Sequence, residues 1–406
     1  MPKEKKNNTW IKPRHRLIVK LLAPIFYPFT CWKYGIKIDR FLTDPNKQYM
    51  VLMNHQTAFD QFFVSLAFRR PIYYFATEDI FSKGFVSSLI RYLVAPIPIK
   101  KQTTDITALK NCFKIVKEGG TIGMAPEGNR TYDGRTVHIN PTIVPLVKKM
   151  KLPIVLFRIE GGYGVQPRWS DVIRKGKMRG YVAEVIEPEA YKELSDEVLY
   201  EKICQGLYVN EACVDGIYQH KKLAEYLERA IYVCPNCGLS SFESHNDVIS
   251  CNRCNRKVRY LPTKELQGIG FDFPFRFVAD WYDYQCDFVN KLDVSEYIEQ
   301  PLYVEKASLW EVIIRKNKVL LEKEAVLSLY GDRIFIVQRD GTELEFPFEE
   351  LSAVTVLGRN KLNLYHNQSV YQIKGDKRFN ALKYVNFYHR YKNMNKENGD
   401  GKFLGL

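Results

Sequence analysis

Between residues 48 and 187, short apolar runs alternate with stretches of helical period. YMVLMN, PIYYFAT, VAPIPI, TIGMAP, LPIVLFRIE and GYVAEVIEP predict strands, and residues 61–69, 82–93 and 104–118 predict helices. Such alternation predicts an α/β domain with a mostly parallel sheet flanked by helices. Residues 190–227 continue as helix, with Leu194, Val198, Ile203, Leu207, Val209 and Leu223 among the apolar positions. From 309 to 392 the texture is different. Short alternating strands pass turn signals at Gly331-Asp332, Asp340-Gly341 and Gly358-Arg359, then give way to a helix that Asp376 is expected to cap, with Phe379, Leu382, Val385 and Tyr388 on one face.

The N-terminal pattern is neither of these. Residues 15–34 (HRLIVKLLAPIFYPFTCWKY) set aliphatics before Phe26, Tyr27, Phe29, Trp32 and Tyr34, between basic residues on both sides. Pro24 and Pro28 break the stretch, which is too short to span a bilayer. Its make-up suits a helix lying in a membrane interface, rings at headgroup depth and cations on anionic lipid; the alternative is a helix packed on the next domain. There is no small-residue cleavage site, so export is not expected.

Charge sharpens this. The chain of 406 residues carries a net charge of +14 and a pI near 9.1, which calls for an anionic partner. Ten lysines and arginines lie within residues 1–40, opposed only by Glu4 and Asp39. A cationic segment interleaved with rings fits a lipid surface better than nucleic acid, and the expected location is the cytoplasmic face of a membrane.

Of nine cysteines, four form Cys234-x-x-Cys237 and Cys251-x-x-Cys254, separated by thirteen residues. Two thiolate pairs on short knuckles suit tetrahedral zinc in a closed structural ribbon. Arg253, Arg256, Lys257 and Arg259 beside it leave a nucleic-acid ribbon as the alternative, and iron as the alternative metal. The aromatic stretch 271–288 (FDFPFRFVADWYDYQCDF) faces either a domain interface or a membrane. The expected divisions are therefore 1–40 (membrane-interface segment), 41–230 (α/β domain), 231–262 (zinc ribbon), 263–305 (aromatic connector), 306–395 (mainly-β module closed by a helix) and 396–406 (tail).

The candidate chemistry starts at MVLMNHQTAFD. His55 follows a buried strand, and Asp60 is five positions on, where a turn feeds a helix. An aspartate bonded to one ring nitrogen frees the other to accept a proton, half of a general-base dyad for a hydroxyl; the alternative is a histidine that merely caps the helix. Downstream, TIGMAPEGNR ends another strand in a glycine turn. Gly128 permits exposed backbone N–H groups, Arg130 offers a bidentate fork for phosphate, and Glu127 is expected to pin that arginine or a substrate hydroxyl. In α/β sheets ligands sit outside the carboxyl ends of strands, where both segments fall.

These residues resemble the signature blocks of the glycerolipid acyltransferases of the 1-acyl-sn-glycerol-3-phosphate acyltransferase type. The block N-H-x-S-x-x-D matches Asn54 to Asp60 with Thr57 for serine. F-P-E-G-T-R-S matches Ala125 to Thr131 with Ala125 and Asn129 as departures, and the P-I block matches Pro153-Ile154. The second block is poor: Lys101 stands where an arginine is expected. The resemblance covers about residues 16–227. It implies an O-acyltransferase in which His55 takes a proton from the hydroxyl of a lysophospholipid, most directly 1-acyl-sn-glycerol-3-phosphate, as that oxygen attacks acyl-CoA or an acyl-carrier protein thioester. Asp60 orients the ring, and Arg130, with Lys101 as the weaker candidate, holds the acceptor phosphate. Another lysophospholipid or a lipid amine as acceptor, and a non-catalytic lipid-binding adaptor, are the alternatives. The element order after residue 306 resembles a pleckstrin-homology-like fold.

Overall fold

A computed structural model describes residues 9–77, 80–81, 85–99, 106–313 and 317–395. Lys101 lies outside the described residues.

The first half is built on α1 (Pro13–Tyr34), β1 (Ile36–Ile38), β2 (Met50–Met53), α2 (Asp60–Phe68), β3 (Ile72–Thr77), α3 (Phe85–Val94), β4 (Ile97–Ile99), α4 (Ile106–Lys117), β5 (Thr121–Met124), α5 (Ile143–Met150), β6 (Ile154–Glu160), α6 (Gly162–Val165), β7 (Met178–Ile186), α7 (Pro188–Lys192) and α8 (Asp196–Leu207). The sheet order is β1-β7-β6-β2-β5-β3-β4. The chain runs from β2 outward to β3 and β4, returns to β5 beside β2, and then crosses to β6 on the other flank of β2. Those strands are parallel; β7 turns back antiparallel on β6 and pairs parallel with β1. The sheet thus begins inside the stretch read as membrane-interface segment.

Every residue of β2 is buried, as a central parallel strand requires. The period of two splits its side chains: Met50 and Leu52 pack with α4, α5 and α8, while Val51 and Met53 pack with α2 and Tyr34. The helical reading of 190–227 holds only to Leu207. Beyond it the chain is irregular, with a short 3-10 turn at Leu227–Arg229, and its apolar residues Val209 and Leu223 are buried without helical backbone. The helix α5 was not expected; its eight residues include Pro145.

The second half begins with β8 (Val233–Cys234) and β9 (Gly238–Leu239), then the meander β10 (Phe242–His245), β11 (Val248–Cys251), β12 (Lys257–Tyr260) and β13 (Leu266–Gly268), and α9 (Val278–Lys291). There follow β14 (Tyr303–Glu311), β15 (Val319–Leu329), β16 (Arg333–Val337), β17 (Glu343–Pro347), β18 (Leu351–Leu357), β19 (Lys361–His366), β20 (Ser369–Lys374) and α10 (Leu382–Met394). These seven strands form one antiparallel sheet in the order β17-β16-β15-β14-β20-β19-β18, closed by α10, the mainly-β module expected from the sequence. The strands are not all short: β15 runs for 11 residues. Asp376 does not cap α10; its carboxylate accepts from Arg378 N six residues before the helix starts.

The aromatic connector faces inward. Trp281 donates its indole N–H to the Val233 carbonyl at 2.8 Å and meets Phe273 edge-on with centroids 5.0 Å apart. One apolar core runs from Tyr132 and Trp169 in the first half through the cysteine region to α10. The seam beside it is held by buried arginines. Arg229 donates to the carbonyls of Trp169 and Lys377 and pairs with Asp171 at 2.6 Å; Arg174 lies over the rings of Trp169 and Tyr260. Arg378 ties the C-terminal module to Glu228.

On the outside, α1 to α3 expose a run of large apolar side chains: Leu17, Leu21, Ile25, Phe29, Phe85, Leu89 and Tyr92, with Trp32 and Phe85 each 81% exposed. Phe26 of α1 stacks on Phe62 of α2. Among the described residues no helix is long and apolar enough to cross a membrane.

Because Arg229 is only 2% exposed and joins both halves, Arg229→Met is expected to remove about 1–3 kcal/mol of stability by leaving the Trp169 and Lys377 carbonyls without their donor and Asp171 with Arg359 alone. Urea unfolding followed by tryptophan fluorescence measures it; a midpoint equal to that of the wild type would contradict the role given to the seam.

Candidate active site

Local backbone chemistry puts His55 at the carboxyl end of β2 with its neighbours already committed. Asn54, fully buried, brackets β6: its amide nitrogen donates to the Ile159 carbonyl at 2.8 Å and its oxygen accepts from Ile159 N at 2.7 Å. That pair takes over where the ladder ends and fixes the strand tip. Gly162 at the start of α6 lets this loop approach, since a Cβ there would lie 2.5 Å from Gln56 Cβ.

Asp60 is the first residue of α2, where a carboxylate meets unpaired N–H groups. It accepts from Gln56 N at 2.7 Å, Thr57 N at 2.9 Å, Thr57 Oγ1 at 2.7 Å and His55 Nδ1 at 2.8 Å. The hydroxyl kept by Thr57 therefore serves the carboxylate. With Asp60 an acceptor, Nδ1 carries the proton and Nε2 keeps a lone pair. Asp60 has no exposed surface, while the His55 side chain is 25% exposed. The ring is held from inside and open outside.

The turn after β5 is the second component, adjacent because Leu52 of β2 pairs with Met124. Gly128 has φ +68 and open space around its α-carbon, and its N–H closes the turn on the Ala125 carbonyl at 3.1 Å, so it is committed rather than available to a ligand. Glu127 pins neither Arg130 nor an open position. Its two oxygens accept from His55 N and Val137 N, each at 2.7 Å, clamping the histidine backbone to the far side of the turn. Burial pushes its carboxyl up to about 8, against the pull of those two N–H bonds.

Arg130 is buried and forms no side-chain ion pair among the described residues; its Nη1 has no partner. Burial, then the charges of Arg168 and Arg359, hold its pKa down at about 9. Asp60 acts on it in the opposite sense, and the N–H of the next residue, Thr131, donates to the His55 carbonyl at 3.4 Å, so the arginine turn lies against the backbone of the dyad. Tyr34, whose ring packs on Phe59 and Phe63, has a buried hydroxyl without a partner, and Gln56 a buried amide without one. Tyr34, read from the sequence as one of the interfacial rings, is instead buried at 1% exposure, and Arg168 was not singled out; the signal for both lies in tertiary contacts alone. The four cysteines do gather: their sulfurs lie within 4.8 Å of one another, with Cys234 Sγ and Cys254 Sγ 3.8 Å apart. That matches the edge of a tetrahedron with metal–sulfur bonds of about 2.3 Å.

Residues 37–160 match the Acyltransferase family model. The chain is 25% identical over 187 residues to the chloroplastic 1-acyl-sn-glycerol-3-phosphate acyltransferase BAT2 of Brassica napus, covering 45% of this chain and 53% of that protein. It is 24% identical over 123 residues to a 1-acyl-sn-glycerol-3-phosphate acyltransferase of Bacillus subtilis, covering 30% of this chain and 58% of that one. The chain thus spans about half the length of the curated relatives it matches. Among solved structures it is similar to the crystal structure of the 1-acyl-sn-glycerophosphate acyltransferase PlsC of Thermotoga maritima, at 20% identity and a TM-score of 0.40, covering 48% of this chain and 78% of that one.

The raised Glu127 carboxyl has a stability consequence. From the ordinary glutamate range up to about 8 the folded chain holds a proton that the unfolded chain releases, so this group makes stability fall as pH rises through that window. Glu127→Gln is expected to remove that component, giving a shallower fall of Tm from about pH 5 to pH 8 than in the wild type. Parallel Tm-against-pH curves for the two chains would show that Glu127 ionises as it does unfolded.

Proposed function

We propose that this chain transfers an acyl group from a thioester, acyl-CoA or acyl-carrier protein, to the hydroxyl of a lysophospholipid, with 1-acyl-sn-glycerol-3-phosphate the preferred acceptor. The observation that carries the reading is the His55–Asp60 bond of 2.8 Å at the tip of a central strand, with an unpaired buried arginine in the next turn. His55 Nε2 takes the proton of the acceptor hydroxyl while its oxygen attacks the thioester carbonyl carbon. The tetrahedral adduct collapses with cleavage of the carbon–sulfur bond, and the departing sulfur receives that proton from the imidazolium. Asp60 fixes the tautomer beforehand and stabilises the imidazolium. Glu127 is a positioning residue through the His55 backbone, and Arg130 grips acceptor phosphate. The names borne by the relatives support the same acceptor class.

The apolar face of α1 to α3 with the basic residues of α1 is the proposed contact with an anionic membrane surface, from which a lysophospholipid reaches the site without entering water. Cys234, Cys237, Cys251 and Cys254 are proposed to hold zinc, whose only contribution is to tie the knuckles together, since four thiolates leave no open position for chemistry.

His55→Ala is expected to lower turnover by about 10²- to 10⁴-fold with the fold intact, read by transfer of a labelled acyl group to 1-acylglycerol-3-phosphate in vesicles. Turnover that survives the substitution would sink the dyad reading, and activity on an uncharged acceptor with none on the phosphate-bearing one would sink the acceptor.

Metal analysis of purified protein is expected to find about one zinc per chain, lost together with several degrees of Tm in Cys234→Ser. Iron in its place, or no metal in either protein, would count against the zinc assignment.

A further inference from the structure

The C-terminal module reaches the neighbourhood of the dyad. Arg168, 2% exposed, donates to the Arg130 carbonyl at 2.9 Å, the Val356 carbonyl at 3.1 Å and the Gly358 carbonyl at 3.2 Å, so a single side chain stitches the turn between β18 and β19 to the backbone of Arg130. The next residue in that turn is Arg359.

Its charge is not neutralised locally. Asp171 lies 3.3 Å from Arg359 Nη1, but the same oxygen is 2.6 Å from Arg229, so one carboxylate serves two guanidiniums. Among the described residues Arg359 Nε is buried and without a partner, as are Arg130 Nη1 and the Tyr34 hydroxyl. Arg168 spends its donors on carbonyls and its face on the Tyr132 ring at 4.3 Å, bringing a charge and no carboxylate. Burial chiefly raises the Tyr34 phenol, and the charges of Arg359 and Arg130 pull it back down. Two buried guanidinium nitrogens and a buried phenol without partners are a cost that an anion with several acceptor oxygens removes.

We propose that Arg359 completes the acceptor subsite: a terminal phosphate monoester is held between Arg130 of the α/β domain and Arg359 of the C-terminal module, with the Tyr34 hydroxyl as a third donor. The inference rests on the acyl-transfer reading of the site and adds its specificity. A dianionic monoester offers three acceptor oxygens to two forks, whereas a phosphocholine diester brings one negative charge and a quaternary cation into a cluster already positive. The C-terminal module is then part of the substrate site as well as a neighbour of it.

The test uses the full chain with acyl-CoA and neutral phosphatidylcholine vesicles carrying either 1-acylglycerol-3-phosphate or 1-acylglycerol-3-phosphocholine. Arg359→Gln is expected to raise KM for the monoester about tenfold or more, with kcat nearly unchanged and little effect on the phosphocholine acceptor. Arg359→Lys restores part of the loss, and Arg339→Gln, an exposed arginine of the same module, behaves as wild type. Circular dichroism and Tm verify that each variant folds. An unchanged KM for the monoester in Arg359→Gln, or an equal loss for both acceptors, overturns the subsite. Its failure is distinct from failure of the reaction. Turnover that needs His55 but ignores Arg359 leaves the reaction standing, while Arg359-dependent binding of the monoester in flotation assays without turnover leaves only the subsite.

Discussion

The pairing of β2 between β5 and β6 is the constraint on which the rest depends. A strand buried on both faces and hydrogen-bonded on both edges has almost no freedom, so whatever follows it is aimed by the sheet. Asn54 extends that rigidity by one residue through Ile159 of β6, and Glu127 extends it to His55 from the β5 side. The histidine is thus held through its backbone by both neighbouring strands before Asp60 sets its ring. Asp60 in turn depends on the turn before α2, whose Gln56 and Thr57 N–H groups bond its carboxylate. Asn54 and Glu127 are satisfied by main chain, which cannot swing away as a side chain would, and Asp60 by main chain together with the Thr57 hydroxyl.

The net positive charge of the chain acquires a second meaning from the seam. Buried arginines elsewhere are usually neutralised by carboxylates, yet Arg168 and Arg174 are satisfied chiefly by carbonyls and aromatic faces. Carbonyls stabilise a guanidinium without cancelling its charge, so the field stays positive beside the dyad. That is an arrangement suited to drawing in an anion, and it explains why burial and like charges, rather than an acidic partner, govern Arg130.

What was legible in the sequence was what is local. The Asn54-to-Asp60 and Glu127-to-Arg130 segments carry their geometry in spacing, and the strand–helix alternation carried the sheet because buried parallel strands leave continuous apolar runs. The four cysteines were legible for the same reason, each knuckle being four residues long. Where the pattern misled, long-range contacts had overridden it. Residues 208–227 have helical spacing of apolar positions, but Tyr218 fills the space against Gly164 and Gly176 and Arg174 takes the Leu223 carbonyl, so tertiary packing sets their backbone. Glu127 looked like a partner for the arginine three residues on, whereas its oxygens are used by backbone ten and seventy-two residues away. No local signal encodes such a bond.

Arg359 shows the limit most clearly. In the sequence it is an ordinary turn residue after a glycine, about three hundred positions from His55, and only the threading of Arg168 into the β18–β19 turn brings it near Arg130. A site assembled this way has a cost: ordering a distant turn against the α/β domain opposes chain entropy, and the mutual repulsion of the arginines opposes it further. The shared core from Trp169 to Tyr388 supplies the compensating apolar burial, which is why the module can be docked before any ligand arrives. The same core that stabilises the second half therefore holds a cationic turn beside the dyad, and the specificity proposed for that turn is a by-product of how the two halves pack.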